Sequence, residues 1–166
     1  TIKNNKKMDK EATRDGFGKG IVEIAEKDGR IIALTADLGE SLRLNEFKEK
    51  FPNRFIECGV AEQNMATVAS GMANYGKIPF ICSFGVFSPG RNWEQIRTTI
   101  AINNLPVKIV GGHTGIVTGA DGVTHQALED IALMRCLPNM TVIVPCDAEE
   151  ARKATVASVE IDGPVY

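Results

Sequence analysis

The sequence has two histidines and one tryptophan among 166 residues, and none of its four cysteines falls in a C-x-x-C pair. Cys58, Cys82, Cys136 and Cys146 therefore lack the spacing of a structural zinc site, and two histidines do not make up the deficit. They read as reduced, mostly buried thiols. No apolar run approaches the roughly 20 residues that cross a bilayer. Nor does an apolar stretch follow the basic N-terminal run, as a secretory signal requires. Phosphate-loop, dinucleotide-loop and calcium-loop motifs are missing, and so is the G-x-S-x-G elbow of serine hydrolases. A net charge of −2 gives no field that favours nucleic acid or an anionic membrane. These absences leave a cytoplasmic globular protein as the expectation, with neither kind of polyanionic partner.

What is present is an ordinary folded composition, 43% apolar and 24% charged. The length suits one domain burying about two-thirds of its unfolded surface. The charged run from Lys3 to Lys10 reads as solvent-facing, so residues 1–10 are expected to be a flexible polar tail and residues 11–166 a single domain. Phe17, Ile21, Ile24 and Ala25 form a helical stripe within Glu11 to Lys27, which Asp28-Gly29 ends. Strands are expected at Arg30 to Thr35, Phe55 to Cys58, Ile78 to Phe84, Val107 to Val110 and Thr141 to Val144, with a last one starting at Val165. Helices are expected between them: Leu44 to Phe51, Ala61 to Tyr75, Asn92 to Asn103, His125 to Arg135 and Ala148 to Ile161. Short apolar strands alternating with helices imply an α/β domain, doubly wound, its mainly parallel sheet covered by helices on both faces.

Ligands of such sheets sit beyond the carboxyl ends of the strands. In Cys58-Gly-Val-Ala-Glu-Gln-Asn-Met65, Glu62 opens a helix that is apolar on most faces. It reads either as an acid favoured by the helix dipole or as a deeply set carboxyl that must find a partner. Phe84 and Phe87 leave the next strand together, as core or as a platform for a flat ligand, in an irregular loop with Gly85, Pro89 and Gly90. Gly111 to His125 holds five glycines, Asp121 and both histidines, His113 and His125. Such a loop is either solvated surface or a binding loop, since glycine permits close approach of a ligand and histidine exchanges protons near neutrality.

Taken in order, Ala12-Thr-Arg14, Ala36-Asp-Leu-Gly-Glu-Ser41, Gly59-Val-Ala-Glu-Gln-Asn-Met65 and Ser83-Phe-Gly-Val-Phe87 form a pattern. Gly112-His-Thr-Gly-Ile116, Asp121-Gly-Val-Thr-His-Gln126 and Leu137-Pro-Asn-Met140 continue it. From Ala12 to Tyr166 the chain resembles the pyrimidine-binding domain of the transketolase family, with its thiamin-diphosphate-binding fold. The resemblance implies that the cofactor thiamin diphosphate binds between this domain and a pyrophosphate-binding domain or subunit, which holds its Mg2+ or Ca2+. It implies that Glu62 hydrogen-bonds the aminopyrimidine ring and that Phe84 and Phe87 pack against that ring. His125 would lie near the reacting carbonyl. His113, Arg14 and Ser41 would contact the sugar phosphate, and Asp121 a substrate hydroxyl. Asp37 would support the loop or a subunit contact rather than the chemistry. Self-association through the Ala61 to Tyr75 helix, as a homodimer or within a larger hetero-oligomer, is expected on the same ground.

The pattern is also departed from. Gly90 stands where a third aromatic is usual, the chain ends before a further phosphate-binding arginine, and no G-D-G segment of a pyrophosphate domain occurs. The chain is then either a fragment of a longer one or part of a transketolase split into two polypeptides; the short polar start favours the split form, and the end within a strand suggests a C-terminal domain removed. The isolated chain is expected to be inactive. Deoxyxylulose-phosphate synthase shares several motifs but usually has an aspartate-arginine pair where Gly112-His113 stands. The β-subunit of a 2-oxo-acid dehydrogenase does not fit Asp121 to Gln126, and a non-catalytic assembly module has no need of Glu62, His113 and His125 together.

Overall fold

The computed structural model describes residues 10–166, so the expected tail lies outside the described residues save for Lys10. Four parallel strands form the sheet: β1 (Ile31–Thr35), β2 (Phe55–Glu57), β3 (Ile78–Phe84) and β4 (Lys108–Gly112), in the order β2-β1-β3-β4. Val165 extends it, bridging Lys108 on one side and Thr141 on the other, both in parallel. The strand expected at Thr141 to Val144 is thus a single bridge, reinforced by the Ile143 amide donating to the Tyr166 carbonyl at 2.8 Å.

All of β1 is buried, and its side chains alternate between two cores, which assigns each helix to a face. Ile31 and Ala33 join Phe80 and Cys82 in a core beneath α1 (Thr13–Lys27) and α2 (Asn45–Lys50). Ile32 and Leu34 join Ile81 in the other core, beneath α3 (Glu62–Asn74) and the Ile96–Ala101 turn. Every residue of β3 is buried, as a central strand covered on both sides requires. The last helix, α6 (Ala148–Ser158), begins at Asp147, whose carboxylate accepts from the Glu150 amide at 2.7 Å. It packs on α1 so closely that a Cβ on Gly16 would sit 1.8 Å from the Ala148 carbonyl oxygen.

Two helices differ from the reading above. Asn92 to Asn103 forms only a short α-turn, α4 (Trp93–Gln95), before widening into a π-helix over Ile96–Ala101. The Thr98 and Thr99 hydroxyls donate to the Glu94 and Gln95 carbonyls there, in competition with the backbone ladder. The helix expected from His125 starts instead at α5 (Asp130–Arg135), because Ala127 bridges Gly115 and holds its neighbours extended. No helix among the described residues is long and apolar enough to cross a membrane.

Candidate functional site

The four segments beyond the carboxyl ends of β1 to β4 gather at one end of the sheet, where α1 also begins. Arg14, in the first turn of α1, sends Nη1 to the Ser41 carbonyl at 3.4 Å and to His113 Nε2 at 3.3 Å. Three elements distant in sequence thus meet in one cationic cluster. His113 holds a left-handed backbone with φ of 54°, and its Nδ1 is buried with no partner among the described residues. Burial and the neighbouring Arg14 keep its pKa below the usual histidine value, while Asp121 acts in the opposite direction.

The His113 ring lies against Phe84, with centroids 4.1 Å apart. Phe84 is buried and Phe87 half-buried; their rings are nearly parallel, 9° apart in plane and 6.2 Å between centroids. His125 stands edge-on to Phe87 at 5.4 Å, and its Nδ1 lies 2.9 Å from the Thr124 hydroxyl. Asp121 is exposed on the loop between the histidines and reaches His113 through its field.

Glu62 opens α3 with only 1% of its surface exposed. The partner its burial demands is Arg91, whose Nη1 donates to Oε2 at 2.8 Å. The Arg91 guanidinium also covers Phe87, its central carbon 4.7 Å from the ring centroid. Sequence reasoning passed over Arg91. The available signal was its place directly after the aromatic loop, though only the fold brings it to Glu62. Glu57 was passed over as well; its Oε1 accepts from the Asp37 and Gly59 amides at 2.8 and 2.9 Å, joining the loops after β1 and β2.

A cleft of about 570 Å³ opens beside Arg14 and His113 and runs between α1, α6 and β4 to Lys108 and Tyr166. Glu62, Phe84, Phe87 and His125 lie outside its lining. Of the aromatic pair and the carboxylate, Phe87 is half-buried, whereas Phe84 and Glu62 are buried within this chain.

The fold has counterparts among known proteins. The family described as transketolase, pyrimidine binding domain, matches residues 9–166. The 6-deoxy-6-sulfo-D-fructose transketolase subunit SqwH of a Clostridium species is 41% identical over 160 residues, covering 96% of this chain and 50% of that one. A solved split gene transketolase, titled an inactive beta4 tetramer, superposes with a TM-score of 0.83 at 46% identity, covering 95% of this chain and 50% of that one. The 1-deoxy-D-xylulose-5-phosphate synthase of Acidovorax ebreus is 38% identical over 149 residues, covering 90% of this chain but 23% of its own length. The chain belongs to the transketolase pyrimidine-binding domain family. It spans about half the length of the first curated relatives it matches.

Proposed function

We propose that this chain supplies the pyrimidine-binding half of a thiamin-diphosphate-dependent transketolase. Once paired with a pyrophosphate-binding domain or subunit, it transfers a two-carbon ketol unit from a ketose phosphate to an aldose phosphate. The observation that carries this reading is the convergence at one sheet end of a buried glutamate, a near-parallel aromatic pair and an Arg14–His113 cluster. A flat, partly apolar ring bearing hydrogen-bonding nitrogens fits the first two, and an anion fits the third.

Thiamin diphosphate, when bound, supplies the chemistry that breaks and remakes the carbon–carbon bond. The chain's own residues position it and handle protons. Glu62 presents its carboxylate to the aminopyrimidine ring, at a place where burial lends a hydrogen bond strength. Phe84 and Phe87 fix the plane of that ring and keep water from it. His125 lies beside Phe87 with Nδ1 engaged by Thr124, which leaves Nε2 to exchange a proton with substrate oxygen. Arg14, the Ser41 loop and His113 hold the sugar phosphate, and Asp121 meets a substrate hydroxyl. The Mg2+ or Ca2+ belongs to the partner, and the isolated chain is inactive because half of the contacts are absent. The apolar side of α3 that suggested self-association is packed into the chain's own core, so the side left exposed, at Gln63, Thr67 and Gly71 with Tyr75 just beyond its end, serves that contact.

A substrate panel on the chain mixed with a pyrophosphate-domain subunit tests this reading. Ketol transfer from xylulose 5-phosphate to ribose 5-phosphate supports it. Condensation of pyruvate with glyceraldehyde 3-phosphate, without ketol transfer, would reassign the chain to the synthase.

A further inference from the structure

Arg91 and Asn92 are consecutive residues that hold the same glutamate at its two ends. Arg91 takes the carboxylate, Nη1 to Oε2 at 2.8 Å, while Asn92 Nδ2 donates to the Glu62 backbone carbonyl at 3.1 Å. Asn92 is fully buried, and the same amide donates to Ser88 Oγ at 3.2 Å. One dipeptide thereby ties the first turn of α3 to the aromatic loop after β3.

The two partners are unequal. Glu62 has 1% of its side chain exposed and Arg91 47%, so the arginine reaches in from the surface to a fixed acceptor. Among the described residues Oε1 receives no hydrogen bond, so one carboxylate oxygen is committed and the other has no partner. The loop itself offers no side chain beside Phe87 at Gly90, where a Cβ would sit 1.9 Å from the Val86 carbonyl oxygen. The planar guanidinium of Arg91 fills that role, lying over the ring.

We propose that Arg91 is a positioning residue: by occupying Oε2 and covering Phe87, it directs Oε1 of Glu62 toward the space beside the aromatic pair and supplies the wall that Gly90 cannot. This rests on the reading of Glu62 as the group that meets the aminopyrimidine. A lysine retains the charge but not the plane, so the two halves of the role separate on substitution.

The test uses Arg91→Met and Arg91→Lys, with Glu62→Gln as companion. On the chain without cofactor, the infrared carboxylate bands of wild type minus Arg91→Met should show a difference that disappears on a Glu62→Gln background. No difference would overturn the proposal whatever the activities. In the two-subunit assembly, Arg91→Met should lower kcat about 100-fold with the sugar KM unchanged. Arg91→Lys should retain the infrared signature yet recover only a fraction of kcat, and it decides the matter if Arg91→Met fails to assemble. Glu62→Gln inactive with both Arg91 variants at wild-type kcat would sink the positioning role and leave the Glu62 reading standing. Glu62→Gln at wild-type kcat would remove the reading itself, and the proposal with it.

Discussion

Arg14 Nη1 lies 3.3 Å from His113 Nε2, although the two residues are 99 positions apart in the chain. Arginine only donates, so this imidazole nitrogen is the acceptor and carries no proton. The contact therefore selects neutral histidine and leaves Arg14 as the fixed positive charge of the pair.

This has a consequence for stability. The His113 pKa is lowered from 6.5, first by burial and then by Arg14. A histidine with a depressed folded pKa withholds nothing above the unfolded value. As pH falls below about 6.5 the unfolded chain binds a proton that the folded chain resists, and stability is lost until the folded pKa is passed. Asparagine tolerates the left-handed backbone at this position and does not titrate. His113→Asn should therefore reduce the loss of melting temperature between pH 6.5 and 4.5. Parallel melting curves for the two proteins would expose this reading as wrong.

Lys108 is a buried amine whose Nζ donates to the Ile161 and Gly163 carbonyls, each at 2.9 Å. These bonds hold the turn that leads α6 back to Val165. Lys108→Met leaves both carbonyls without that donor and should cost about 1–3 kcal/mol in urea unfolding at pH 7. Burial lowers the Lys108 pKa to about 8. Its folded value lies below the unfolded one, so the wild type should gain on the methionine variant as pH climbs from 8 toward 10.5. A gap that is constant over that range would contradict the assignment.

The contact of α1 with α6 leaves no room at Gly16. Gly16→Val should destabilise the chain by about 2 kcal/mol or more, because the blocking atom belongs to the backbone of Ala148 and cannot rotate away. Denaturant midpoints of the two proteins decide it, and equal midpoints would mean that the helices separate freely.

Gly71 is the converse case. It lies on the exposed side of α3, and a Cβ there would meet nothing within 4 Å. Gly71→Glu should leave the monomer no less stable than wild type, with up to about 1 kcal/mol gained in helix propensity, yet lower the mass seen in sedimentation. An unchanged mass at high protein concentration would remove α3 from the assembly.

Much of this architecture was legible from periodicity and turn chemistry. The bounds of β3 follow from a short, mostly apolar run, and the core side of α1 from the stripe of Phe17, Ile21, Ile24 and Ala25. What was not legible depends on contacts distant in sequence. The start of α5 is delayed by pairing between Ala127 and Gly115, and the π-helix after Gln95 has no signature in the apolar pattern. The site divides in the same way. Glu62, His113 and His125 stand out as unusual residues in apolar or glycine-rich surroundings. Arg91 is an ordinary surface type, and its meaning emerges only where the turn at Gly90 brings it over Phe87 and onto Glu62.

The most direct measurement is ketol transfer in a mixture of this chain and a pyrophosphate-domain subunit, with thiamin diphosphate and magnesium, comparing wild type with Glu62→Ala. The account predicts transfer that needs both chains and falls at least about 100-fold with Glu62→Ala. Transfer by this chain alone, or transfer indifferent to Glu62, would contradict it.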